Sequence, residues 1–270
     1  MDNIIKKTLR KSPLAIRIYD IWKTAMVWPL KKTILRDLST IRNMPFKDLL
    51  KPSKIRLFMK VSPHTLAGYS RLDNIYALCR DVEKKNIKGC YIETGTWKGG
   101  CAAIMGAVAH QFGDRRNTWY LDSFEGMPDP TSKDGNSTAE IEGDVLKASQ
   151  EDVEKIIFDV LKLPREKNKI VKGWFEDVLP DKKNEIGPVA ILRIDADFYE
   201  PIKYVLEQLY DQVVENGYII FDDFARWPGC RQAVREFVAE HKVDYDFEFI
   251  GSYGHRVMYL QKKKVYKYSV

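Results

Sequence analysis

Two short apolar runs in the second half of the chain each end in aspartates. The runs are Ala190–Ile194 and Tyr218–Phe221, and the segment between them, Tyr199–Val214, has apolar residues at helical spacing. Short apolar runs that alternate with helical segments are typical of buried parallel strands, and a right-handed crossover brings both carboxyl ends to the same edge of the sheet. Open α/β sheets bind ligands at that edge. The sequence therefore predicts a ligand site built on four aspartates, Asp195, Asp197, Asp222 and Asp223.

The same periodicity predicts the other elements of an α/β domain. Further strands are expected at Cys90–Thr94, Thr118–Leu121 and Lys169–Val171, followed by an antiparallel hairpin of Phe247–Gly251 and Val257–Gln261. Further helices are expected at Ser62–Asn86, Cys101–His110, Ser149–Leu161 and Gly229–His241. Glu215-Asn216-Gly217 is predicted to end the helix that begins at Tyr199 and to form the next turn. The long loop Ser123–Gly143 begins at the ligand edge, and we expect it to act as a lid.

The four aspartates need a partner that compensates their charge, because carboxylates packed together repel one another. A hard divalent cation supplies that compensation, since Mg²⁺ prefers oxygen ligands and usually keeps open positions for water or substrate. For any single aspartate the alternative is a helix cap or a solvated side chain. The set of four at two neighbouring strand ends favours a Mg²⁺ site.

A glycine-rich turn follows the first predicted strand. From Glu93 to Gly100 the pattern is E-x-G-x-x-x-G-G, an arrangement that lets the backbone approach a nucleotide or nucleoside closely. It differs from the dinucleotide fingerprint, and Glu93 would repel a pyrophosphate, so S-adenosylmethionine with its cationic amino acid part fits better than NAD. Asp122, at the end of the second strand, is placed either to accept hydrogen bonds from ribose hydroxyls or to cap the next turn. Trp174 or Phe175 could flank an adenine ring or belong to the core.

Composition is consistent with one α/β core and an appended basic segment. Of the 270 residues, 44% are hydrophobic, which is enough for one sizeable core. Residues 1–60 hold 15 of the 44 Lys and Arg residues but only 4 of the 38 Asp and Glu residues, so the remainder of the chain is mildly acidic. That sign argues against nucleic acid as a partner. The cysteines, which show no C-x-x-C pairing, indicate reduced thiols in a cytoplasmic protein. They are Cys79, Cys90, Cys101 and Cys230.

The basic segment is predicted to form short helices broken by prolines. A basic amphipathic segment can lie on an anionic surface, so one expectation for residues 1–60 is peripheral contact with the inner face of a membrane. The alternatives are docking on the chain's own domain and a contact within a homo-oligomer. We therefore divide the chain into an extension, residues 1–60, and a domain, residues 61–270.

Five segments together carry a resemblance to a known family. They are YIETGTWKGG, LDSFEGMPDP, GWFEDVLP, LRIDADFYEP and FDDFARWPGCRQAV. In order and spacing they resemble the macrocin O-methyltransferase family, whose members are S-adenosylmethionine- and Mg²⁺-dependent sugar methylases. The similarity runs from about Thr65 to His241. It implies a Rossmann-like class I methyltransferase sheet, mostly parallel with an antiparallel last strand, with helices on both faces and an N-terminal helical extension.

The resemblance also implies roles for individual residues. Its metal ligands fall on Asp195, Asp222 and Asp223, and its general base on Asp197. Its cofactor-binding positions fall on Glu93, Thr94, Gly95, Asp122, Ser123, Phe124, Trp174 and Asp195. The family's T-x-x-S-x-x-R-L segment matches Thr65–Leu72 except at Gly68, where a serine is usual.

The implied chemistry is methyl transfer to a sugar hydroxyl of a glycan or glycosylated metabolite. Chelation of neighbouring oxygens by Mg²⁺ would lower their pKa, Asp197 would take the proton, and the oxygen would attack the sulfonium methyl in line. Two alternatives remain at this point. One is a catechol-type O-methyltransferase acting on an aromatic diol, and the other is a catalytically silent cofactor-binding scaffold.

Overall fold

The strand pattern of the sequence closes into one mixed sheet. The computed structural model describes residues 45, 48, 50–135, 146–243, 246–250 and 257–263. Within this part of the chain the strands are β1 Cys90–Thr94, β2 Thr118–Asp122, β3 Asn168–Lys172, β4 Val189–Ile194, β5 Val213–Phe221, β6 Phe247–Ile250 and β7 Val257–Gln261. Their order across the sheet is β3-β2-β1-β4-β5-β7-β6. The first five strands are parallel, and β7 is antiparallel to both β5 and β6, so the predicted mixed sheet is confirmed.

Helices connect the strands and cover both faces of the sheet. They are α1 Pro52–Val61, α2 Tyr69–Lys84, α3 Gly100–Gln111, α4 Gln150–Glu154, α5 Phe175–Ile186, α6 Tyr199–Leu209 and α7 Pro228–His241. A π-helical stretch, Lys155–Val160, continues α4, and short 3₁₀ turns follow α1 and α6. All four cysteines are buried free thiols, as predicted.

Alternating residues of the central strands divide the core into two layers. On β1, Tyr91 packs in the layer formed with α1, α2 and α3, whereas its neighbours Cys90 and Ile92 pack in the layer formed with α5, α6 and α7. Every residue of β1 and β4 is buried, which is the expectation for parallel strands covered by helices on both sides. The strand order reverses between β1 and β4, so the ligand-binding crevice of the fold is expected there.

Three predicted elements have different boundaries in the structure. The expected helix Ser62–Asn86 is divided, because α1 ends at Val61, a 3₁₀ turn covers Ser62–His64, and α2 begins only after Gly68. The expected helix to Val214 ends at Leu209. Glu215-Asn216-Gly217 is an irregular part of β5, where the pairing register with β4 shifts, because the end of β7 supplies hydrogen bonds to this segment. Helix α5 was not predicted.

Helix α1 crosses the predicted boundary at residue 60 and packs against the sheet domain. Leu57, Phe58 and Val61 on its inner face belong to the same core layer as α2 and α3. Residues 1–44, to which most of the predicted extension and its membrane or oligomer contacts belong, lie outside the described residues. Among the helices that are described, none combines the length and apolarity needed to span a bilayer.

Candidate active site

The strand-end aspartates converge at the edge predicted from the sequence. Ile194 at the end of β4 pairs with Phe221 at the end of β5, so the residues that follow each strand are level with one another. Within the described residues, Asp195, Asp222 and Asp223 each place a carboxylate oxygen within 4.8 Å of the other two. Asp222 and Asp223 are buried, whereas the Asp195 side chain is 30% exposed. The predicted ligand set therefore forms one cluster.

Two arginines lie against this cluster, and neither was predicted from the residue pattern. Arg193, from β4, contacts Asp195 Oδ2 at 2.7 Å and Asp222 Oδ1 at 2.6 Å through its two terminal nitrogens. Arg71, from α2, forms an ion pair with the other oxygen of Asp222. The fully buried Glu93 at the end of β1 accepts a hydrogen bond from Arg193 at 2.5 Å. The site thus holds a connected network of acids and guanidinium groups.

The carboxyl groups of the cluster have separated pKa values. Burial raises the pKa of Asp223 well above its usual range, and the negative charges of its three neighbouring aspartates add to the effect. Burial also raises the pKa of Asp222, against the opposing charge of Arg193. The pKa of Asp195 is lowered, because the charge of Arg193 and a hydrogen bond with Asp223 outweigh burial. With all three carboxyl groups ionised, the cluster would have more negative charge than its two arginines neutralise, and the raised pKa values of Asp222 and Asp223 reflect that excess.

The donor set fits a hard divalent cation. Three carboxylates supply oxygen ligands of the kind that Mg²⁺ prefers, and Asp223 Oδ2 is buried without a hydrogen-bond partner among the described residues. A buried oxygen of this kind costs free energy unless it is satisfied, and a cation would satisfy it. The fit supports the metal assignment on the chemistry of the residues themselves.

Asp197 lies two residues beyond Asp195, in the turn between β4 and α6. Its backbone φ is 54°, a left-handed conformation that is uncommon outside glycine but is tolerated better by Asp and Asn than by most residues. Burial and the charge of Asp195 raise the pKa of Asp197 to about 7. A carboxyl group with that pKa accepts and releases protons near neutral pH.

The glycine-rich turn brings the ends of β1 and β4 into close contact. A Cβ on Gly95, which has a φ of +82°, would lie 1.8 Å from the backbone oxygen of Asp195. Asp122 holds the turn from the other side, because its carboxylate accepts hydrogen bonds from the backbone N–H groups of Thr96, Trp97 and Phe124 at 2.7 to 2.8 Å. The structure thus gives Asp122 the capping contacts of the alternative interpretation, and the ribose contact stays a prediction.

A cavity of about 520 Å³ opens over the turn and the aspartates. It brings together most of the predicted site residues, namely Glu93, Gly95, Asp122, Ser123, Trp174, Asp195, Asp197, Asp222 and Asp223. Thr94 and Phe124 do not line it. Thr94 is fully buried and its hydroxyl donates to the Arg193 carbonyl, and Phe124 packs in the core, so direct cofactor contact through these two side chains is not supported. The half-buried Trp174 lies on the cavity wall at the start of α5.

The first part of the predicted lid is anchored by Asp134. This buried carboxylate accepts hydrogen bonds from the backbone N–H of Thr131 and from the backbone N–H of Tyr199, each at 2.7 Å. Tyr199 is the first residue of α6, so the anchor joins the loop to the element that follows Asp197. Residues 126–129, ahead of the anchor, line the cavity. Residues 136–145 of the predicted lid lie outside the described residues.

The segment between α1 and α2 forms another wall of the cavity. Residues 64–67 line it, and the segment passes so close to the start of α3 that a Cβ on Gly100 would lie 2.6 Å from the His64 oxygen. Gly68 is the N-cap of α2 and makes no side-chain cap, whereas the serine usual at this position could provide one. The departure from the family pattern therefore removes a helix cap beside the cavity.

Comparison with known proteins gives the same family as the sequence motifs. The profile of the macrocin O-methyltransferase family matches residues 56–259. Demethyldecarbamoylnovobiocin O-methyltransferase of Streptomyces niveus is 33% identical over 230 residues, which are 81% of this chain and 85% of that protein. An enzyme of Streptomyces olivaceus, 8-demethyl-8-(2,3-dimethoxy-alpha-L-rhamnosyl)-tetracenomycin-C 4'-O-methyltransferase, is 35% identical over 179 residues, or 64% of this chain and 67% of that protein.

A solved structure shares the fold. The structure of the O-methyltransferase NovP superposes with a TM-score of 0.67 at 32% sequence identity, and the match covers 74% of this chain and 83% of NovP.

Proposed function

Because this chain belongs to the macrocin O-methyltransferase family, it is an S-adenosylmethionine-dependent O-methyltransferase, and we propose that it methylates a sugar hydroxyl with the help of Mg²⁺. The observation that carries the proposal is the group of three carboxylates, with oxygens within 4.8 Å of one another, beside Asp197 in the cavity. The acceptor class follows from the relatives, since the name of one of them specifies a rhamnosyl substrate. We infer an acceptor that is a sugar carried by a small molecule or glycan.

In this proposal Asp195, Asp222 and Asp223 hold the metal. When bound, Mg²⁺ supplies a positive charge that lowers the pKa of acceptor hydroxyls and fixes their orientation. Arg193 pairs with Asp195 and Asp222, and Arg71 pairs with Asp222, so their positive charges limit the repulsion between these carboxylates.

Asp197 is the proposed general base. A hydroxyl is a poor nucleophile at neutral pH until it loses its proton, and a carboxylate within reach of it can accept that proton. The pKa of Asp197 of about 7 suits this task. The new bond joins the acceptor oxygen to the methyl carbon while the bond between that carbon and sulfur breaks, and the proton remains on Asp197. Because most of the rate in such a reaction comes from positioning, the walls of the cavity matter as much as the base.

The cofactor position is proposed along the glycine-rich turn. Gly95 lines the cavity, and Asp122 and Trp174 line it on the β2 and β3 side. Glu93 is committed to Arg193 through one oxygen, so we propose that it acts on the site from behind rather than through a direct cofactor contact.

Titration calorimetry with S-adenosylhomocysteine, with and without Mg²⁺, tests the cofactor pocket. We expect binding in the micromolar range, followed by Mg²⁺-dependent methyl transfer to glycosylated small molecules that carry neighbouring hydroxyls. Absence of S-adenosylhomocysteine binding under both conditions would contradict the proposal. A simple catechol in the same acceptor panel tests the alternative of a flat aromatic diol, and preference for the catechol would replace the sugar assignment.

A further inference from the structure

Arg193 is a charged residue inside the central strand of the sheet. It lies on β4, between β1 and β5, and its side chain is only 1% exposed. A guanidinium group buried to that extent costs several kcal/mol of desolvation free energy unless good ionic partners compensate it. Its position is therefore informative, because a Val or Leu would be the ordinary choice in such a strand.

The partners of Arg193 come from the ends of three strands. One terminal nitrogen, Nη1, donates hydrogen bonds to Glu93 Oε1 at 2.5 Å and to Asp195 Oδ2 at 2.7 Å. The other, Nη2, lies 2.6 Å from Asp222 Oδ1 in an ion pair that lacks hydrogen-bond geometry. A planar guanidinium keeps its two terminal nitrogens at a fixed separation, a fork whose contacts with Asp195 and Asp222 can set the distance between these two carboxylates. Lysine, a single point charge, lacks that geometry.

We propose that Arg193 is a positioning residue, which sets the separation of the Asp195 and Asp222 carboxylates so that they can bind the metal together, and that Glu93 fixes the guanidinium from behind. The inference rests on the proposed Mg²⁺ site. Without the fork, two like charges at neighbouring strand ends would move apart or take up protons. Side chains that orient metal ligands in this way commonly govern metal affinity.

The test is the affinity of the full chain for Mn²⁺, an oxygen-preferring cation that gives an electron paramagnetic resonance signal when free. The variant is Arg193→Lys, which keeps the positive charge and removes the fork. We expect its Mn²⁺ affinity to fall about 10- to 100-fold, the usual effect of losing a partner that orients a metal ligand. S-adenosylhomocysteine affinity measured without metal should change little, because the glycine-rich turn is unaltered.

Arg116→Lys is a matched control. Arg116 also forms a buried pair with a glutamate, its Nε contacting Glu83 Oε1 at 2.7 Å, and the two side chains are 7% and 1% exposed. This pair does not line the cavity. The two Lys variants should therefore lose similar amounts of folding stability, while only Arg193→Lys loses Mn²⁺ affinity.

Glu93→Met keeps the inference testable if Arg193→Lys does not fold. Methionine has about the size of glutamate but offers no oxygen to Arg193 Nη1, so the guanidinium is no longer held from behind and we expect Mn²⁺ to bind several-fold more weakly. If wild-type protein did not bind Mn²⁺, the proposed metal site itself would be wrong. If wild-type protein bound Mn²⁺ and Arg193→Lys or Glu93→Met bound it equally well, the metal site would stand and the positioning role would be wrong. An equal loss of Mn²⁺ affinity in Arg193→Lys and Arg116→Lys would also refute the positioning role.

Discussion

Asp197 has an uncommon backbone conformation at the position proposed for the general base. Its backbone φ of 54° turns the chain between β4 and α6, and burial together with the charge of Asp195 raises its pKa to about 7. Residues in such sparsely populated conformations cost free energy, and they cluster at functional sites. Asparagine tolerates the same backbone and has the same size, so an Asp197→Asn variant separates the chemistry of the side chain from its shape.

We expect Asp197→Asn to lower kcat about 100- to 10,000-fold, the usual contribution of a general base. Its dissociation constant for S-adenosylhomocysteine should stay close to that of the wild type. Methyl transfer followed by mass spectrometry, beside calorimetric titration of the cofactor product, measures both. Asp181→Asn, on the exposed side of α5 and outside the cavity, is the control. Turnover near the wild-type rate in Asp197→Asn would show that another group takes the proton.

Gly95 gives a second prediction at the residue scale, because a Cβ there would meet the backbone oxygen of Asp195 at 1.8 Å. Gly95→Ala should cost the 1–2 kcal/mol of a left-handed alanine and about 1–3 kcal/mol more from overpacking. Gly113→Ala is the matched control, since Gly113 has a similar φ of +87° and no atom within 4 Å of its Cβ position.

Urea unfolding of both glycine variants measures these free energies. Both variants pay for alanine in a left-handed conformation, so the difference between their free energies of unfolding gives the cost of the close approach of β1 and β4 alone. Because the clash displaces Asp195, Gly95→Ala should also bind Mn²⁺ more weakly, whereas Gly113→Ala should not. Equal free energies of unfolding for Gly95→Ala and Gly113→Ala would mean that the turn relaxes around the added methyl group.

At the scale of elements, the sequence predicts those features that depend only on neighbouring residues and on the direction of the strands. The aspartate cluster was predictable because buried parallel strands have a clear apolar pattern, and their carboxyl ends must meet at one edge. Arg193 was missed, although a charged residue within the apolar run AILRI was a sign of a buried ion pair. Its partners Glu93 and Asp222 could not be named, because they come from different strands whose register is set by the whole sheet.

The errors at element boundaries have tertiary causes. Ser62-Pro63 resembles a helix start, yet in the structure it continues from α1, and the helix start lies beyond Gly68. Glu215-Asn216-Gly217 has the composition of a turn, but it remains in β5, because the Asn216 N–H donates to the Lys262 oxygen at 2.8 Å and the Gly217 oxygen accepts from Lys262 N at the same distance. The amino acid composition of this segment does not indicate where β7 lies in the sheet.

The anchor at Asp134 gives a prediction for the loop as an element. Asp134→Ala removes the acceptor for two backbone N–H groups, those of Thr131 and Tyr199, and should cost about 1–3 kcal/mol. We expect faster hydrogen exchange in residues 123–135 and at the start of α6. We also expect a higher KM for the sugar substrate that accepts the methyl group. Hydrogen exchange with mass spectrometry and steady-state kinetics measure the two effects.

Asp134 also closes a capping box with Thr131, and Asp152→Ala controls for the loss of such a box in general. Asp152 closes the same kind of box with Ser149 at the start of α4, on an exposed part of the surface. Its loss should change local exchange near α4 and leave acceptor KM unaltered. If Asp134→Ala behaved in the same way, the loop would not depend on its anchor for its place over the cavity.

At the scale of the whole molecule, a buried ionic contact ties α1 to the sheet domain. Lys54 is 3% exposed, and its Nζ contacts Asp48 Oδ2 at 3.0 Å and Asp73 Oδ1 at 2.5 Å. Tyr69 also donates to Asp48 and accepts from Lys54. Helix α1 is therefore held by α2, which also supplies Arg71 to the aspartate cluster. The docking of α1 and the geometry of the site thus both depend on α2.

The charge of Asp48 makes this docking dependent on pH. Burial alone would raise the pKa of Asp48, but hydrogen bonds from Lys51, Tyr69 and Lys54 outweigh it and hold the pKa well below its usual range. A carboxyl group with a lower pKa in the folded state stabilises the protein above its unfolded pKa of 3.8 and loses that contribution as the pH falls toward the folded value. Asp48→Asn should thus destabilise the protein at pH 7, and the difference from wild type should shrink below about pH 4.

Urea unfolding of wild type and Asp48→Asn at pH 7 and pH 3 measures that difference. Asp246→Asn is the control, because Asp246 pairs with Lys263 through a side chain that is 85% exposed, and exposed pairs contribute only about 0–1 kcal/mol even when both groups are charged. A destabilisation of Asp48→Asn that stayed constant between the two pH values would mean that packing, and not charge, holds α1 to the domain. A destabilisation that is smaller at pH 3 than at pH 7 would show that ionised Asp48 holds α1 to the domain.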